Sequence, residues 1–158
     1  MVDTLALLAL VEAEGRPRMT VPMDYLYASR DFRRFLGSVK ERAMLATNNQ
    51  SYAVTRAVLH VFRSHLALRD VLVFAEILPP LLRVTFLEGL GAEHKPIAFP
   101  DRQTLLEEVK AVREPHNIAP DSAIDDVAEI LRAEIGEATL RRVLGRMPQD
   151  AQAYWLAS

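Results

Sequence analysis

The chain predicts an all-α fold of two related four-helix units packed together. Three observations lead there. Apolar residues recur at helical spacing through most of the 158 residues, and no segment shows the strict alternation of a half-buried strand. Only six glycines interrupt the chain. A pattern also occurs twice, offset by about 69 residues. Ala57-Val58, Val61-Phe62, His65-Leu66 and Leu78-Pro79 answer to Asp126-Val127, Ile130-Leu131, Glu134-Ile135 and Met147-Pro148. The shared positions are mostly apolar, so burial is what the copies have in common. One such unit hides its apolar face poorly alone, and two can bury theirs against each other.

Residues 1–23 read as an N-terminal extension and linker, 24–91 as the first unit, 92–100 as a connection, and 101–158 as the second unit. The apolar run at 4–11 is too short to span a bilayer. Asp3 stands where a secretory leader carries basic residues. The run reads as a short helix packed on the body or used in a dimer contact. A start of translation at Met19 or Met23 is the competing reading, because the repeat begins only after Met23.

Two prolines and a glycine make residues 15–23 irregular. Asp24 is placed to cap a short turn carrying Tyr25, Leu26 and Tyr27. A helix over 30–44 follows from Phe32, Phe35, Leu36, Val39 and Ala43. Residues 47–51 carry hydroxyls and amides suited to cap the next helix, 50–66. That helix holds Tyr52 or Ala53, then Val54, Ala57, Val58, Val61, Phe62, His65 and Leu66 on one stripe. Residues 68–77 form a short helix with Asp70 as its cap. Pro79-Pro80 ends it and opens a helix over 80–88, since proline is tolerated in a first turn. Gly89 and Gly91 stop that helix. After the connection, helices follow over 101–113, 121–134, 137–146 and 148–156, with Asp121 or Ser122 capping the second.

The residues Asp31-Phe32-Arg33-Arg34-Phe35-Leu36-Gly37-Ser38-Val39-Lys40-Glu41-Arg42-Ala43, then 57–66, then Ile77-Leu78-Pro79-Pro80-Leu81-Leu82-Arg83 with Glu88-Gly89 beyond, resemble the bacterial and archaeal DUF2267 family of uncharacterised proteins. The likeness covers most of residues 28–156. Phe35 and Val39 match its first apolar pair, Ala57-Val58-Leu59 its central helix, and Leu78-Pro79 its Leu-Pro junction. Leu90 stands where the family often has a tryptophan, and Met147-Pro148 replaces Leu-Pro in the second half. The resemblance implies a helical repeat fold and brings no activity, cofactor or catalytic residue.

Composition narrows the chemistry. A net charge of -2 lacks the basic excess of a general phosphate-backbone binder, and the absence of cysteine excludes thiolate nucleophiles and Cys-based zinc sites. A cytoplasmic location is the expectation. His60 and His65 lie five apart, about 140 degrees around a helix, so they do not form a ligand pair. His65 is expected at the buried edge and His60 at the surface. His94 and His116 flank the helix over 101–113, where carboxylates such as Glu88 or Glu93 could join them. Glu107-Glu108 and Asp125-Asp126 with Glu129 read as solvated acidic faces. The aromatics Tyr25, Tyr27, Phe32 and Phe35, and the C-terminal Tyr154-Trp155, are expected to seal opposite ends of the core.

Charge is unevenly divided: residues 24–70 carry eight basic and four acidic side chains, and 101–158 carry seven and eleven. The candidate partner face is therefore Arg30, Arg33, Arg34, Lys40, Arg42, Arg56 and Arg63. The expectation is a non-catalytic protein-binding or structural module, with no catalytic, cofactor or metal residue named. Its partner is another protein or a second copy. The alternatives are a nucleic-acid-associated protein using the same bases, and a small metal-dependent or hydrolytic enzyme.

Overall fold

The computed structural model describes residues 20–112 and 118–156, and every regular element in them is an α-helix. In chain order these are α1 (Met23–Leu26), α2 (Ala28–Arg42), α3 (Asn48–Ser64), α4 (Leu68–Glu76), α5 (Pro80–Leu87), α6 (Arg102–Ala111), α7 (Ala123–Ile135), α8 (Glu137–Leu144) and α9 (Gln149–Leu156). The expected helices all occur, with ends displaced by up to two residues. The apolar run at 4–11, the translation-start question and His116 lie outside the described residues.

α3 is the hub, packing on α2, α5, α6 and α7. Ala57, Val58 and Leu59 are consecutive and all buried, as are Ser51 and Thr55. Three successive helical positions cannot share one face, so α3 must be enclosed from several sides. The single stripe read from the sequence was too narrow here. α2 lies across both halves of the molecule, against α3, α5 and α7, while α4 meets α8. All the described helices except α1 feed one apolar core.

The centre of that core is aromatic. Around Phe62 stand Phe74 at 4.9 Å, Tyr154 at 5.1 Å, Trp155 at 5.2 Å and Phe99 at 6.3 Å between ring centroids. Trp155 also stacks on Phe74 at 5.6 Å. Such pairs add about 0.5–1.5 kcal/mol each beyond burial. Tyr154-Trp155 thus occupies the middle of the core rather than closing one end. The other proposed seal divides: Phe35 is buried, whereas Tyr25 and Tyr27 are exposed.

Local chemistry sets the helix starts. Thr47 and Gln50 form a capping box on α3, the Thr47 hydroxyl accepting from the Gln50 amide at 3.1 Å. Asp101 caps α6 through the Thr104 amide at 3.0 Å, and this bond holds its carboxyl below the usual range. Pro80 opens α5. Two expected caps are displaced: α4 starts after Ala67, with Asp70 inside its first turn, and α1 starts after Pro22, with Asp24 inside. Ser122 occupies the α7 cap position, but its hydroxyl donates to Asp126 at 2.6 Å instead of capping. α2 ends in a Schellman motif: the Met44 amide donates to Glu41 and the Leu45 amide to Lys40. Met44 holds the left-handed position, φ 53°, where glycine is usual, and its side chain is 91% exposed.

The helix ends are met by arginines. Arg83 reaches back over the proline junction to the carbonyls of Ala75, Glu76 and Leu78 at the end of α4. Arg63 donates to Phe86 and Glu88 at the end of α5, at 2.6 and 2.8 Å. Arg102 and Arg132 donate to Tyr154 and Trp155 at the end of α9, at 2.8 and 3.0 Å. These carbonyls have no partner within their own helices, and a cation there also opposes the helix dipole. We expect Arg63→Met and Arg132→Met each to cost about 1–3 kcal/mol in urea unfolding, because each leaves part-buried acceptors without a charged donor.

Candidate functional site

The seven predicted cations fall into three groups. Arg34 and Arg42 lie along the side of α2 that meets α7. The two helices run antiparallel, so Arg34 faces Glu134 at 3.0 Å near one end of the contact, and Arg42 faces Asp126 and Glu129 near the other. Arg42 grips Glu129 with two nitrogens, at 2.9 and 2.6 Å, and turns its Nε to Asp126 at 3.2 Å. Asp126 is buried and takes a second bond from Ser122. The acidic stretch of 125–129 is thus divided between internal partners, Asp125 pairing with Arg102. These contacts are the physical use of the charge asymmetry between the two halves.

Arg56 and Arg63 belong to α3. With His60 they occupy positions i, i+4 and i+7, the stripe of this hub helix that core packing leaves uncovered. The end of α5 covers it: Arg56 pairs with Glu88 at 2.9 Å, and the His60 Nε2 donates to the Thr85 carbonyl at 2.7 Å. Arg56 beside Glu88 holds that carboxyl below its usual range. His60 is half-buried rather than at the surface, and burial pushes its imidazole below the ordinary value, with Arg63 and Arg56 acting in the same direction and the Thr85 carbonyl opposing them.

Arg30, Arg33 and Lys40 remain. Arg30 lies 4.1 Å over the Tyr27 ring and pairs with its neighbour Asp31 at 3.2 Å. Arg33 reaches only the Ser29 carbonyl one turn back, at 3.4 Å. The Lys40 ammonium meets no carboxylate among the described residues. Arg30 adjoins the end of α1 through the Tyr27 ring, with Arg33 about one turn further along α2, and Val21, Met23, Tyr25 and Leu26 are each between 57% and 60% exposed. No residue of α1 is buried. Aromatic, methionine and arginine side chains in company are what protein interfaces concentrate at their centres. The sequence singled out the bases and the tyrosines separately; that they share one end of the molecule comes from the short turn at Tyr27.

Other sequence candidates are placed apart. His94 donates to the Leu66 carbonyl at 2.8 Å, and Glu107 accepts from Gln103. His65 is buried against Glu108 of α6, at 2.7 Å, a pairing that reading Glu107-Glu108 as a solvated face missed. A signal for it was present, since Glu108 lies beside the buried Leu105 and Val109. Among the described residues no three His, Asp or Glu side chains converge to hold a metal ion. None of the described helices is long and apolar enough to cross a membrane.

Two outcomes follow. Arg42→Gln should lower the unfolding free energy by about 1–3 kcal/mol by leaving buried Asp126 short of a charged donor, while Arg33→Gln should leave the urea midpoint unchanged. For His60, the depressed folded value means its stabilisation is complete above the unfolded imidazole value of about 6.5 and is lost as pH falls through the folded value. The wild type should therefore lose stability more steeply than His60→Gln between about pH 7 and 5, as read from thermal melts at each pH.

No curated protein matches the chain. A family model described as an uncharacterised conserved protein, DUF2267, matches residues 32–154. That span runs from the first core-facing aromatic of α2 to the buried tyrosine of α9, so it takes in the hub helix, both proline junctions and the charge pairs that join α2 to α7. The chain belongs to the DUF2267 family.

Proposed function

We propose that the protein is a non-catalytic protein-binding module of the cytoplasm, and that it docks through its α1 end. The observation that carries this reading is the cluster of exposed Met23, Tyr25 and Leu26 beside Arg30 and Arg33. Burying one large apolar side chain is worth about 1.5–3 kcal/mol, so three left in water are a sizeable unused store of binding energy. The seven-residue basic face narrows to Arg30, Arg33 and Lys40, because Arg34, Arg42, Arg56 and Arg63 are held by internal partners. Three cations make a weak phosphate-backbone surface, which disfavours the nucleic-acid reading.

We also infer that the body on which this end is mounted consists of two related units offset by 69 residues, with boundaries near 24–91 and 101–158. Two pairs of hydrogen bonds support the offset. Arg63 donating to Phe86 and Arg132 donating to Trp155 differ by 69 at both ends. So do Arg83 donating to Leu78 and Gln152 donating to Met147. Fully buried pairs with the same separation, Val58 with Val127, Phe62 with Leu131 and Val71 with Leu140, agree.

The test of docking is a double variant, Tyr25→Ser with Leu26→Ser, set beside the wild type in sedimentation velocity and in crosslinking within native cells. α1 packs nothing into the core, so the variant should unfold at the same urea concentration as the wild type. We expect it to lose a discrete crosslinked species, homomeric or heteromeric. If both chains give the same crosslinked pattern and the same sedimentation profile, the reading is wrong.

A further inference from the structure

We propose that the outer face of α2 is the contact between two copies of this chain, paired antiparallel across Gly37 in an isologous dimer. The inference rests on the docking reading above in taking the outer surface of α1 and α2 as an interface, and it names the partner as a second copy.

Gly37 is the first observation. Glycine is a poor residue for a helix interior, because it has the most backbone freedom to lose. Gly37 is the one glycine inside a described helix. Its φ lies outside the left-handed region, and a Cβ added there would meet nothing within 4 Å. Neither the backbone conformation nor the packing of this chain calls for the missing side chain. What it provides is a point where another backbone can come close.

The residues around it are the second observation. At 3.6 residues per turn, positions 30, 33, 40 and 41 fall within about 60 degrees of Gly37 around the helix axis. Phe35, Leu36 and Val39 turn to the core instead. The outward stripe is therefore Arg30, Arg33, Gly37, Lys40 and Glu41. The chain just before and just after α2 carries Leu26 and Met44, which are 59% and 91% exposed.

Charge is the third observation, and it selects the partner. Asp24, Arg33, Lys40 and Glu41 meet no opposite charge among the described residues. Two carboxylates and two cations sum to zero, so the surface favours neither a strongly acidic nor a strongly basic partner. It suits one that carries the same set. Arg33 stands four residues before Gly37 and Glu41 four after it, each about 6 Å along the axis. Turn a second copy end for end about Gly37, and each Arg33 comes level with Glu41 of the other copy. An isologous contact has this property, since residue i meets residue j and j meets i. The same operation sets Arg30, seven residues before Gly37, level with Met44, seven after it. The exposed Met44 thioether is then brought to the Tyr27 ring beneath Arg30, a favourable contact for sulfur. The apolar residues of α1 lie at the two outer ends of the interface.

The test is reversal and restoration of charge, read by sedimentation velocity. The wild type should pass from monomer to dimer between about 1 and 200 μM. Arg33→Glu and Glu41→Arg, each alone, set like charges together at both ends of the contact and should weaken the dimer about 10–100-fold. The two changes combined should return it to within about threefold of the wild type. Gly37→Leu gives a second reading with opposite signs. It fills the close approach and should abolish the dimer. It should also raise the urea midpoint of the dilute monomer, since leucine favours the helix and meets no obstacle there. A wild type that stays monomeric to about 200 μM, a double variant no better than the singles, or a dimer unaffected by Gly37→Leu overturns the proposal. A monomeric wild type whose heteromeric crosslink in cells still depends on Tyr25 and Leu26 overturns the second copy and leaves docking at α1. A monomeric wild type with no such crosslink overturns both.

Discussion

Short helices end often, and each end leaves carbonyls that have no partner within the helix. α4, α5 and α9 have nine, eight and eight residues, so these orphaned groups are a large fraction of their backbone polarity. Water cannot serve them where the ends are turned inward. Arginine can, because its planar head carries several donors on a long stem. Arg83 binds three carbonyls, Arg63 two, and Arg102 with Arg132 two more. The tight packing of short helices around α3 depends on this supply of donors.

The same economy governs the charge balance. A basic first half and an acidic second half would repel within themselves if held apart. Folded, α2 and α7 set Arg34 and Arg42 against Glu134, Glu129 and Asp126. The pairs at the solvent edge contribute little individually. Arg42 with Asp126 is different, since Asp126 is buried and relies on Arg42 and Ser122 for its bonds. The pairing also holds the two halves in one register, because sliding α2 along α7 would bring arginines beside apolar positions.

His60 and His65 work under opposite conditions. His60 needs one proton and is disfavoured in its charged form by burial and by Arg56 and Arg63. His65, five residues on and on another side of α3, faces acceptors at both nitrogens. Their different surroundings arise because α3 is enclosed from several sides: α5 with its arginine-lined end meets one side, and α6 with Glu108 meets another.

The helices, their approximate ends and most of the core are legible in the residues alone. That information is local: a 3.6-residue apolar period, a capping threonine and a proline able to stand only in a first turn are legible without any partner. It also marked the seven cations and the charge imbalance. What those cations meet depends on how the helices pack. Arg34, Arg42, Arg56 and Arg63 look alike in sequence to Arg30 and Arg33, and differ because α7 and the end of α5 come to rest against them. Glu108 read as solvated and Tyr154-Trp155 as a terminal seal for the same reason. A side chain's partners are set by helices distant in the chain, and a single periodic stripe cannot register a helix such as α3 that is covered from several directions.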